Sequence, residues 1–591
     1  MVIRMDEKDG LKDLVTPPSL SLKSKPVPAS SSSEKSATIA SAADSSILEA
    51  EIIDNNWHKD SQPIFGTFST KAALSIGLVM LLLSSTILYT VLSSDGEELT
   101  APRDIIASDD PTIFVTDSLG MPVDEPPLEM DFIFSDVGET GKEPSIGITS
   151  SGCMFFIAME KPMRSCDHGE SWTNVADITQ APFTSDPYGW VDPVTDRVFN
   201  IHMMGLESTW IGWSDNDGET WMGNPHDSGT TPLNDHIKLA SGPWTDEGLG
   251  LLGGFSQNVY ETAVYFCFNK LVGISCFTSF DGGATFELGG NIVGLASTNG
   301  GLHGAITTAP DGTVYVTPRV ETPTLIFSKD NGLNWEEREM GADVGTPNPR
   351  KNSEVATDSE SNAYHIWTGG DQGIYMSRST DSGESWEQSS MRISPAGVIS
   401  TAFPQTDAGD PGRIAITYLG SENSSLIGTT DIDGNEWNGN GHYAPGGVHY
   451  HLYVTYSLNA LDENPTFHTR RLTSDPVQVG AMCLNSGDCR SDEGGSNRNL
   501  LDFNDLTIDL EGRVYIAFAD GCIDACASSE GPQPADSRAG RGSVYFMANG
   551  PSLYEEVGEM PSPISPDTTE IPDKMNAEVE LVASRQESSE E

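Results

Sequence analysis

Basic residues are scarce in this chain of 591 residues. It carries 32 Lys and Arg against 87 Asp and Glu, a formal net charge of −55. Because a surface this acidic repels phosphate backbones, the composition speaks against nucleic acid as a partner. Long helical patterns are also missing, whereas Gly, Pro, Ser and Asp are plentiful. The composition therefore predicts a turn-rich, all-β protein.

Several chemical signatures are missing as well. The chain has no phosphate loop, nucleophile elbow, His-Glu-x-x-His string or dinucleotide fingerprint. Each of these motifs has a mechanical reason for its spacing, so their absence removes the motif-based argument for those enzyme classes.

Long apolar runs are limited to residues 72–92, AALSIGLVMLLLSSTILYTVL, with no charge between Lys71 and Asp95. A helix of this length crosses a hydrocarbon core of roughly 30 Å. A cleaved signal peptide would lie nearer the N-terminus, and a buried helix is the other alternative. Basic residues precede the run and acidic residues follow it. We therefore expect one transmembrane signal anchor with the N-terminus in the cytoplasm.

Only eight cysteines occur, all after the apolar run and in close pairs. An even set on one side of a membrane indicates disulfides made in an oxidising compartment, which would place the C-terminal part outside the cell. The alternatives are unrelated buried thiols, or zinc at the last pair, which lacks a second Cys or His pair nearby. The pairs are Cys153/Cys166, Cys267/Cys276, Cys483/Cys489 and Cys522/Cys526.

Composition divides the chain into five parts. The segments that flank the apolar run are rich in Ser and Pro or in acidic residues, and they cannot bury enough apolar surface to fold. The predicted parts are a disordered cytoplasmic segment (1–71), the anchor (72–92), an acidic stalk (93–140), a packed domain (141–548) and a disordered acidic tail (549–591).

An internal repeat organises the packed domain. Five strings, SCDHGESW, SDNDGETW, SFDGGATF, SKDNGLNW and STDSGESW, start 49, 65, 49 and 51 residues apart. Asp and Ser bond the local backbone, Gly supplies positive φ, and the aromatic residue fills a gap between sheets, so each string predicts a hairpin turn. The acidic or amide residue and the aromatic residue of the five turns are Asp167/Trp172, Asn216/Trp221, Asp281/Phe286, Asp330/Trp335 and Asp381/Trp386.

A second element recurs at the same period. Seven alternating strands occur at 154–159, 197–203, 263–268, 313–318, 363–368, 413–419 and 513–519. Four-stranded modules of about this length are typical of β-propeller blades. We expect seven blades, with six as the alternative if the first and last modules share one. A sixth turn is expected at Ser457, Asn459, Thr466 and Phe467, with an insertion between Gly420 and Tyr450.

The turn strings resemble the Asp-box repeats of the sialidase superfamily. Sialidase-like and BNR-repeat proteins also carry strings similar to GLHG, FPQTDAGDPGR, NPTF and RNLLDFND, which occur here between Gly301 and Asp505. The resemblance implies a secreted or lumenal propeller but no single activity, since such repeats also occur in protein-binding propellers.

Sialidase chemistry requires three arginines around a carboxylate sugar, an acidic Asp, and a Tyr activated by a Glu. The Arg-Ile-Pro string of sialidases is absent, and the corresponding stretch reads Glu143-Pro144. The candidate binding residues are His303, Arg319, Arg413, Tyr418, Asp502 and Asp505.

These candidates have structural alternatives. Arg413 has the alternative of an ion pair with Asp407 or Asp410, and Tyr418 that of a core aromatic residue. Asp502 and Asp505 are candidate ligands for a structural calcium ion. The insertion holds one glycosylation sequon, at Asn423.

The expected function is therefore that of a membrane-anchored, extracytoplasmic, sialidase-like propeller. It would bind a glycan or another cell-surface ligand at its axial pocket. An exo-sialidase and a protein-interaction scaffold are the alternatives.

Overall fold

The computed structural model describes residues 113–563 except 160, 177–184, 228–233, 254–258, 271–272, 287, 293–303, 319–321, 341–343, 345–352, 485–488, 493–494, 524–525, 527–538 and 561–562. The expected anchor at 72–92 and the segment before it lie outside the described residues. Within the described part, no helix is both long enough and apolar enough to span a bilayer.

Antiparallel strands dominate the architecture. The first fourteen are β1 (Ile113–Thr116), β2 (Asp131–Thr140), β3 (Ser145–Ile148), β4 (Met154–Ala158), β5 (Lys161–Ser165), β6 (Thr173–Asn174), β7 (Ser185–Val191), β8 (Val198–Met204), β9 (Ser208–Ser214), β10 (Met222–Asp227), β11 (Asp235–Gly242), β12 (Ala263–Asn269), β13 (Ile274–Ser279) and β14 (Leu288–Asn291). Helix α1 (Asp246–Leu252) lies between β11 and β12.

The second half continues the pattern. Its strands are β15 (Ile306–Thr308), β16 (Val314–Val316), β17 (Thr324–Ser328), β18 (Glu336–Glu339), β19 (Ser353–Thr357), β20 (Ala363–Thr368), β21 (Ile374–Ser379), β22 (Met391–Arg392), β23 (Ile399–Ala408), β24 (Ile414–Ser421), β25 (His449–Ser457), β26 (Phe467–Arg471), β27 (Gln478–Val479), β28 (Ser491–Asp492), β29 (Gly495–Ser496), β30 (Asp505–Ile508), β31 (Val514–Asp520), β32 (Arg541–Pro551) and β33 (Glu559–Met560). The 3₁₀ turns η1 (Ser424–Leu426) and η2 (Gly441–Tyr443) lie between β24 and β25.

These strands form seven blades around one axis. Blades I to V are β3–β6, β7–β10, β11–β14, β15–β18 and β19–β22, blade VI is built on β23–β26, and blade VII on β30–β32. The first strands of successive blades contact one another in a closed circle, and β30 of the last blade contacts β3 of the first. The expectation of a seven-bladed β-propeller is thus confirmed.

The N-terminal strands complete the ring. Strand β2 pairs with β32 as the fourth strand of blade VII, and β1 pairs with β26 at the edge of blade VI. Residues 113–116 and 131–140, which composition assigned to an acidic stalk, are therefore propeller strands. The fold likewise extends past residue 548, because β33 pairs with β32. Composition misses these edge strands because their outer side is polar and solvated.

The seven alternating strands of the sequence become the second strand of each blade. Strand β20 is typical, since all six of its residues are buried. The alternating residue pattern of these strands does not separate a solvent-exposed face from a buried face, because both faces of each sheet pack against neighbouring blades. In blades V and VI, for example, Tyr364 and Ile366 share a buried cluster with Ile414 and Tyr418.

The five repeated turns share one hydrogen-bond pattern. In the first, Ser165 Oγ donates to Asp167 Oδ1 at 2.7 Å, and Asp167 accepts from the backbone N–H of Ser171 at 3.0 Å. The sixth turn repeats this over a longer loop, where Asn459 Oδ1 accepts from Ser457 Oγ at 3.2 Å and from the N–H of Thr466 at 3.0 Å. Blade VII has no such turn because its fourth strand comes from the other end of the chain.

Most turn aromatics pack toward the preceding blade. Trp172 donates its indole N–H to Ser135 on β2 at 2.8 Å, and Trp221 donates to the carbonyl of Val175 at 2.7 Å. Trp386 lies in a buried cluster with side chains of blade IV. These turns therefore join two blades in addition to reversing the chain. The aromatic residues differ in depth: Trp221, Phe286 and Trp386 are buried, whereas Trp172 and Trp335 are half-buried.

The fourth turn adds a buried amide to this arrangement. The indole N–H of Trp335 donates to the carbonyl of Gly332 in the same turn at 3.0 Å, as the indole of Trp386 does in the fifth turn. The ring of Trp335 packs against a buried cluster of side chains from blades III and IV. Asn331 of the same turn is 2% exposed and donates from Nδ2 to the hydroxyl of Tyr265 on β12 at 2.7 Å, so this turn also contacts blade III through an amide.

All four expected disulfides are present: Cys153–Cys166, Cys267–Cys276, Cys483–Cys489 and Cys522–Cys526. The first two link neighbouring strands within blades I and III, and the last two lie in the connections around blade VII.

Strand direction gives the propeller two distinct faces. Because the strands within each blade are antiparallel, the turn between the third and fourth strands lies opposite the start of the first strand. We call the end that carries the six turns the turn face, and the end where the inner strands begin the upper face.

Candidate functional site

The inner strands of blades I to III start with unusual backbone. Glu143, Asp186 and His236 all have positive φ, at 54°, 53° and 53°. Register shifts follow on β7 and β11, between Ser185 and Tyr188 and between Asp235 and Lys238. Residues other than glycine rarely adopt this conformation, and such strain and bulges concentrate at functional sites. The upper end of the axis is therefore the candidate site.

Two carboxyl groups meet at this end. Asp186 on β7 accepts the backbone N–H of His236 at 2.8 Å and shares a side-chain hydrogen bond with Asp235 on β11. Burial and the neighbouring charges of Asp186 and Glu143 hold the pKa of Asp235 well above its usual range. Besides burial, the closeness of the two carboxyl groups favours the protonated form of Asp235, because like charges repel.

One arginine faces these acids. Arg498 precedes β30 and donates from both terminal nitrogens to Asp502, at 2.7 and 2.5 Å. Burial lowers the pKa of this guanidinium, and the charges of Glu143, Asp186 and Asp235 act on it in the opposite direction. We call Glu143, Asp186, Asp235, Arg498 and Asp502 the axial cluster. Glu143 and Asp502 are buried and the other three are half-buried, and acids outnumber the base in this mixed-charge site.

A buried lysine lies three residues further along β11. Lys238 Nζ is 3.2 Å from the ring centroid of Phe503 and 4.2 Å from that of Tyr188. Burial lowers its pKa to about 8, although the charges of Glu354 and Asp505 work in the opposite direction. Cation–π contact with two rings partly replaces the water that this ammonium has lost.

Three carboxyl groups, of which Glu354 is buried and the other two half-buried, bridge the inner strands of neighbouring blades. Asp505 accepts the N–H of Ile146 on β3 at 2.8 Å, and Asp407 accepts that of Ile508 on β30 at 3.1 Å. Glu354 on β19 accepts from Gln405 of blade VI at 3.2 Å.

Burial shifts the pKa of all three bridging carboxyls upward, to about 6 for Asp505, about 7 for Asp407 and about 8 for Glu354. These groups link neighbouring blades through hydrogen bonds, and they also give the axis a set of acids whose pKa values lie near neutral pH.

The arrangement suits hydrogen bonding to a neutral, hydroxyl-rich ligand. Carboxylate oxygens accept strong hydrogen bonds from hydroxyl groups. The only strong cation of the axial cluster is already paired bidentately with Asp502. Among the described residues, an anionic ligand would meet Glu143, Asp186 and Asp502 in this cluster, and its one guanidinium is already paired.

Two predicted binding residues, His303 and Arg319, lie outside the described residues. A third, Arg413, stands at the start of β24, the second strand of blade VI, where its guanidinium donates to the carbonyl of Ser552 at 2.5 Å. Tyr418 on the same strand is fully buried and stacks on Tyr453 with centroids 5.6 Å apart. The structure brings neither Arg413 nor Tyr418 to the axial cluster, because inner strands, not second strands, line the axis.

The other two candidates do reach the axis. Asp502 belongs to the axial cluster through Arg498, and Asp505 bridges blades VII and I. Their carboxylates point to different partners, a guanidinium and two backbone N–H groups. Within the described ranges, no group of three His, Cys, Asp or Glu side chains is placed to hold a metal ion, so nothing in that part of the chain builds the expected calcium site.

Sequence reasoning missed Asp186, Asp235, Lys238 and Glu354. Each lies at or near the start of an inner strand, a strand that the alternating pattern did not single out. One signal was available: an acidic residue, Glu143, Asp186 or Asp235, opens three consecutive modules at spacings of 43 and 49 residues. The second of these spacings equals the shortest spacing between the repeated turns.

The described arginines do not converge in the manner of a three-arginine clamp. Apart from Arg498, those that are ion-paired to acids lie away from the axis, for example Arg197 with Asp215 and Arg392 with Asp371.

No protein-family model and no curated protein matches this chain. Solved structures that resemble it include the NanB sialidase of Streptococcus pneumoniae (10% identity, TM-score 0.31, covering 72% of this chain and 71% of that one). The α-L-arabinanase of Penicillium chrysogenum has 12% identity and a TM-score of 0.31, with 59% and 99% covered. The six-bladed lectin of Aleuria aurantia has 14% identity and a TM-score of 0.29, with 53% and 93% covered. At these values the similarities assign neither a family nor a ligand to this chain.

Proposed function

We propose that the propeller binds a non-anionic glycan at its upper face, through the axial cluster. The observation that carries this proposal is the hydrogen-bonded pair of Asp186 and Asp235 at strained, bulged starts of inner strands, with Arg498 as the guanidinium that faces them among the described residues. The cluster offers carboxyl oxygens to sugar hydroxyls, and it holds no arginine that is free to pair with a carboxylate sugar.

Binding of the full-length chain to a glycan array of neutral and sialylated members tests this proposal. Asp235→Asn preserves the shape of the carboxyl pair but replaces an oxygen acceptor with a donor. We expect it to weaken binding of the neutral glycan at least tenfold.

A matched control is Asp281→Asn in the third turn, since the second turn already uses Asn216 at that position. It should bind as the wild type does. Retention of full affinity by Asp235→Asn would contradict the assignment of the site, and preferential binding of sialylated members would contradict the assignment of the ligand class.

Hydrolysis of a neutral glycoside is a second candidate function. It is favoured by the different surroundings of the two carboxyl groups, because the pKa of Asp235 is held well above its usual range and Asp186 accepts a backbone N–H. Glycosidases commonly use one protonated and one ionised carboxyl group. Turnover of chromogenic neutral glycosides that Asp235→Asn abolishes would select this candidate over binding alone, and absence of turnover with intact binding would reject it.

The location of the propeller is also a proposal. The uncharged run at 72–92 supports a signal anchor, and four disulfides support an oxidising compartment. Protease added to intact cells should remove the propeller while leaving the N-terminal segment protected. Digestion that requires lysis would contradict this orientation.

A further inference from the structure

A single sequon occurs in the whole sequence. Asn423-Ser424-Ser425 fits Asn-x-Ser/Thr, whereas Asn464-Pro465-Thr466 carries the proline that blocks modification. Chance alone would place such a tripeptide anywhere, including a buried strand. Its surroundings in the fold therefore decide whether it can carry a sugar.

The asparagine lies at the edge of the upper face. Strand β24 ends at Ser421, and Asn423 precedes the short turn η1 in the insertion between β24 and β25. Asn423 is half-buried, and Ser424 and Ser425 are both exposed. A glycan attached here would project into solvent without displacing packed side chains.

The two ends of the side-chain amide have different surroundings. Asn423 Oδ1 accepts from Ser421 Oγ at 3.0 Å and from the backbone N–H of His449 at 2.9 Å. The amide nitrogen Nδ2 donates to no group among the described residues, and its burial does not force it to. The oxygen therefore fixes the side chain in one orientation, while the nitrogen, the atom that is glycosylated, stays available.

This arrangement also tolerates the modified product. The chain is modified as it enters the lumen, before the propeller closes, so the fold must later accept the substituted nitrogen. Substitution at Nδ2 keeps the carbonyl oxygen and both of its hydrogen bonds. The bonds to Ser421 and His449, which hold the start of the insertion against β25, would survive.

We propose that Asn423 is an N-glycosylation site. This proposal rests on the proposed extracytoplasmic location of the propeller. The amide nitrogen of Asn423 attacks the anomeric carbon of a polyprenyl-diphosphate-linked oligosaccharide. A C–N bond forms, the bond from that carbon to the diphosphate oxygen breaks, polyprenyl diphosphate leaves, and the amide loses one proton.

Expression of the full chain in a eukaryotic secretory host tests the proposal. The wild type should migrate as one glycoform that peptide-N-glycosidase shifts by a single step. Ser425→Ala should remove the shift because the hydroxyl position is lost. Ser424→Ala changes a neighbouring exposed serine at the unrestricted position and should retain it.

The blocked tripeptide provides the control for location. In an Asn423→Gln background, Pro465→Ala opens a sequon at Asn464, which is exposed in the sixth turn. The mobility shift does not require the variant to fold completely, because the sugar is added while the chain enters the lumen.

The outcomes separate the two proposals. A shift in the Asn464 variant but none in the wild type would overturn glycosylation of Asn423 and leave the location intact. No shift in either chain would overturn both proposals.

Discussion

The two faces of this propeller differ in how their chemistry is distributed. On the turn face, six copies of one hydrogen-bond pattern repeat around the ring, each with its own serine and acid or amide. On the upper face, the axial cluster uses each residue once and draws on blades I, II and III and the segment before β30. The repeated turn residues are those that every blade needs in order to fold. The residues of the axial cluster occur once each, and only the closed ring brings them together.

The contrast has an energetic side. The acids of the turns lower the free energy of the folded chain: although burial acts to raise the pKa of Asp381, hydrogen bonds from Ser385 and Ser379 keep it below its usual range. The axial acids do the reverse, because burial raises the pKa of Asp235, Glu354, Asp407 and Asp505. Groups that cost stability where they stand are better candidates for function than groups that stabilise their own turn.

The largest effect should come from the turn face. Trp386→Ala removes a ring that is 7% exposed and fills the gap between blades IV and V. We expect a loss of roughly 3–5 kcal/mol in the free energy of unfolding, measured by urea denaturation. Glycan affinity of the protein that remains folded should not change. Leu251→Ala, at a residue 60% exposed on α1, is the control and should cost far less.

The pH dependence of stability should come from the axis. Asp407 has a usual pKa of 3.8 and a folded value of about 7. Between these values the folded chain keeps a proton that the unfolded chain releases, so stability falls as pH rises through this window. The slope is about 1.4 kcal/mol per pH unit for one such group.

Asp407→Asn should flatten that slope, measured by urea denaturation at several pH values between the two pKa values. Asp462→Asn, at an exposed residue of the sixth turn, should leave it unchanged. An unchanged slope in Asp407→Asn would show that this carboxyl group does not take up the proton.

The smallest effect should again come from the turns. Asp281→Asn keeps the acceptor oxygen that binds Ser279 Oγ and the N–H of Thr285. The second turn makes the same two kinds of bond with Asn216. We therefore expect a change within about 0.5 kcal/mol in thermal or urea unfolding. A loss of several kcal/mol would mean that the negative charge, and not the hydrogen-bond geometry, holds these turns.

Sequence could predict the blades because their signals are local. Ser165 and Asp167 act within one turn and repeat at a fixed period, so pattern and structure coincide. The role of Asn331 could not be predicted, because its bond to Tyr265 depends on how the fourth turn meets the neighbouring blade. The pairing of β1 and β2 could not be predicted either, because their partner strands β26 and β32 lie hundreds of residues away in the sequence.

The axial site escaped prediction for a related reason. His236 reaches its position through positive φ and a register shift on β11, which depend on how blades II and III meet. Arg413 opens an alternating strand and looked axial, but that strand is the second of its blade, where the guanidinium contacts Ser552. Topology, and not residue type, decides which positions face the axis.

The pairing of β2 with β32 has a consequence for how the chain reaches its native state during synthesis. Asp131 pairs with Asn549, so one of the first strands of the propeller to emerge from the ribosome finds its partner only when nearly all of the domain has been made. Contacts between residues so far apart in sequence form slowly, and an unpaired strand edge is open to wrong partners in the meantime. The buried ion pair of Asp136 with Arg541 can form only at that late stage. A ribosome stalled before residue 541 would therefore hold an incomplete ring of six blades in which β2 lacks its partner strand. We expect chaperones that bind exposed strands to associate with that intermediate and to leave once the last blade closes.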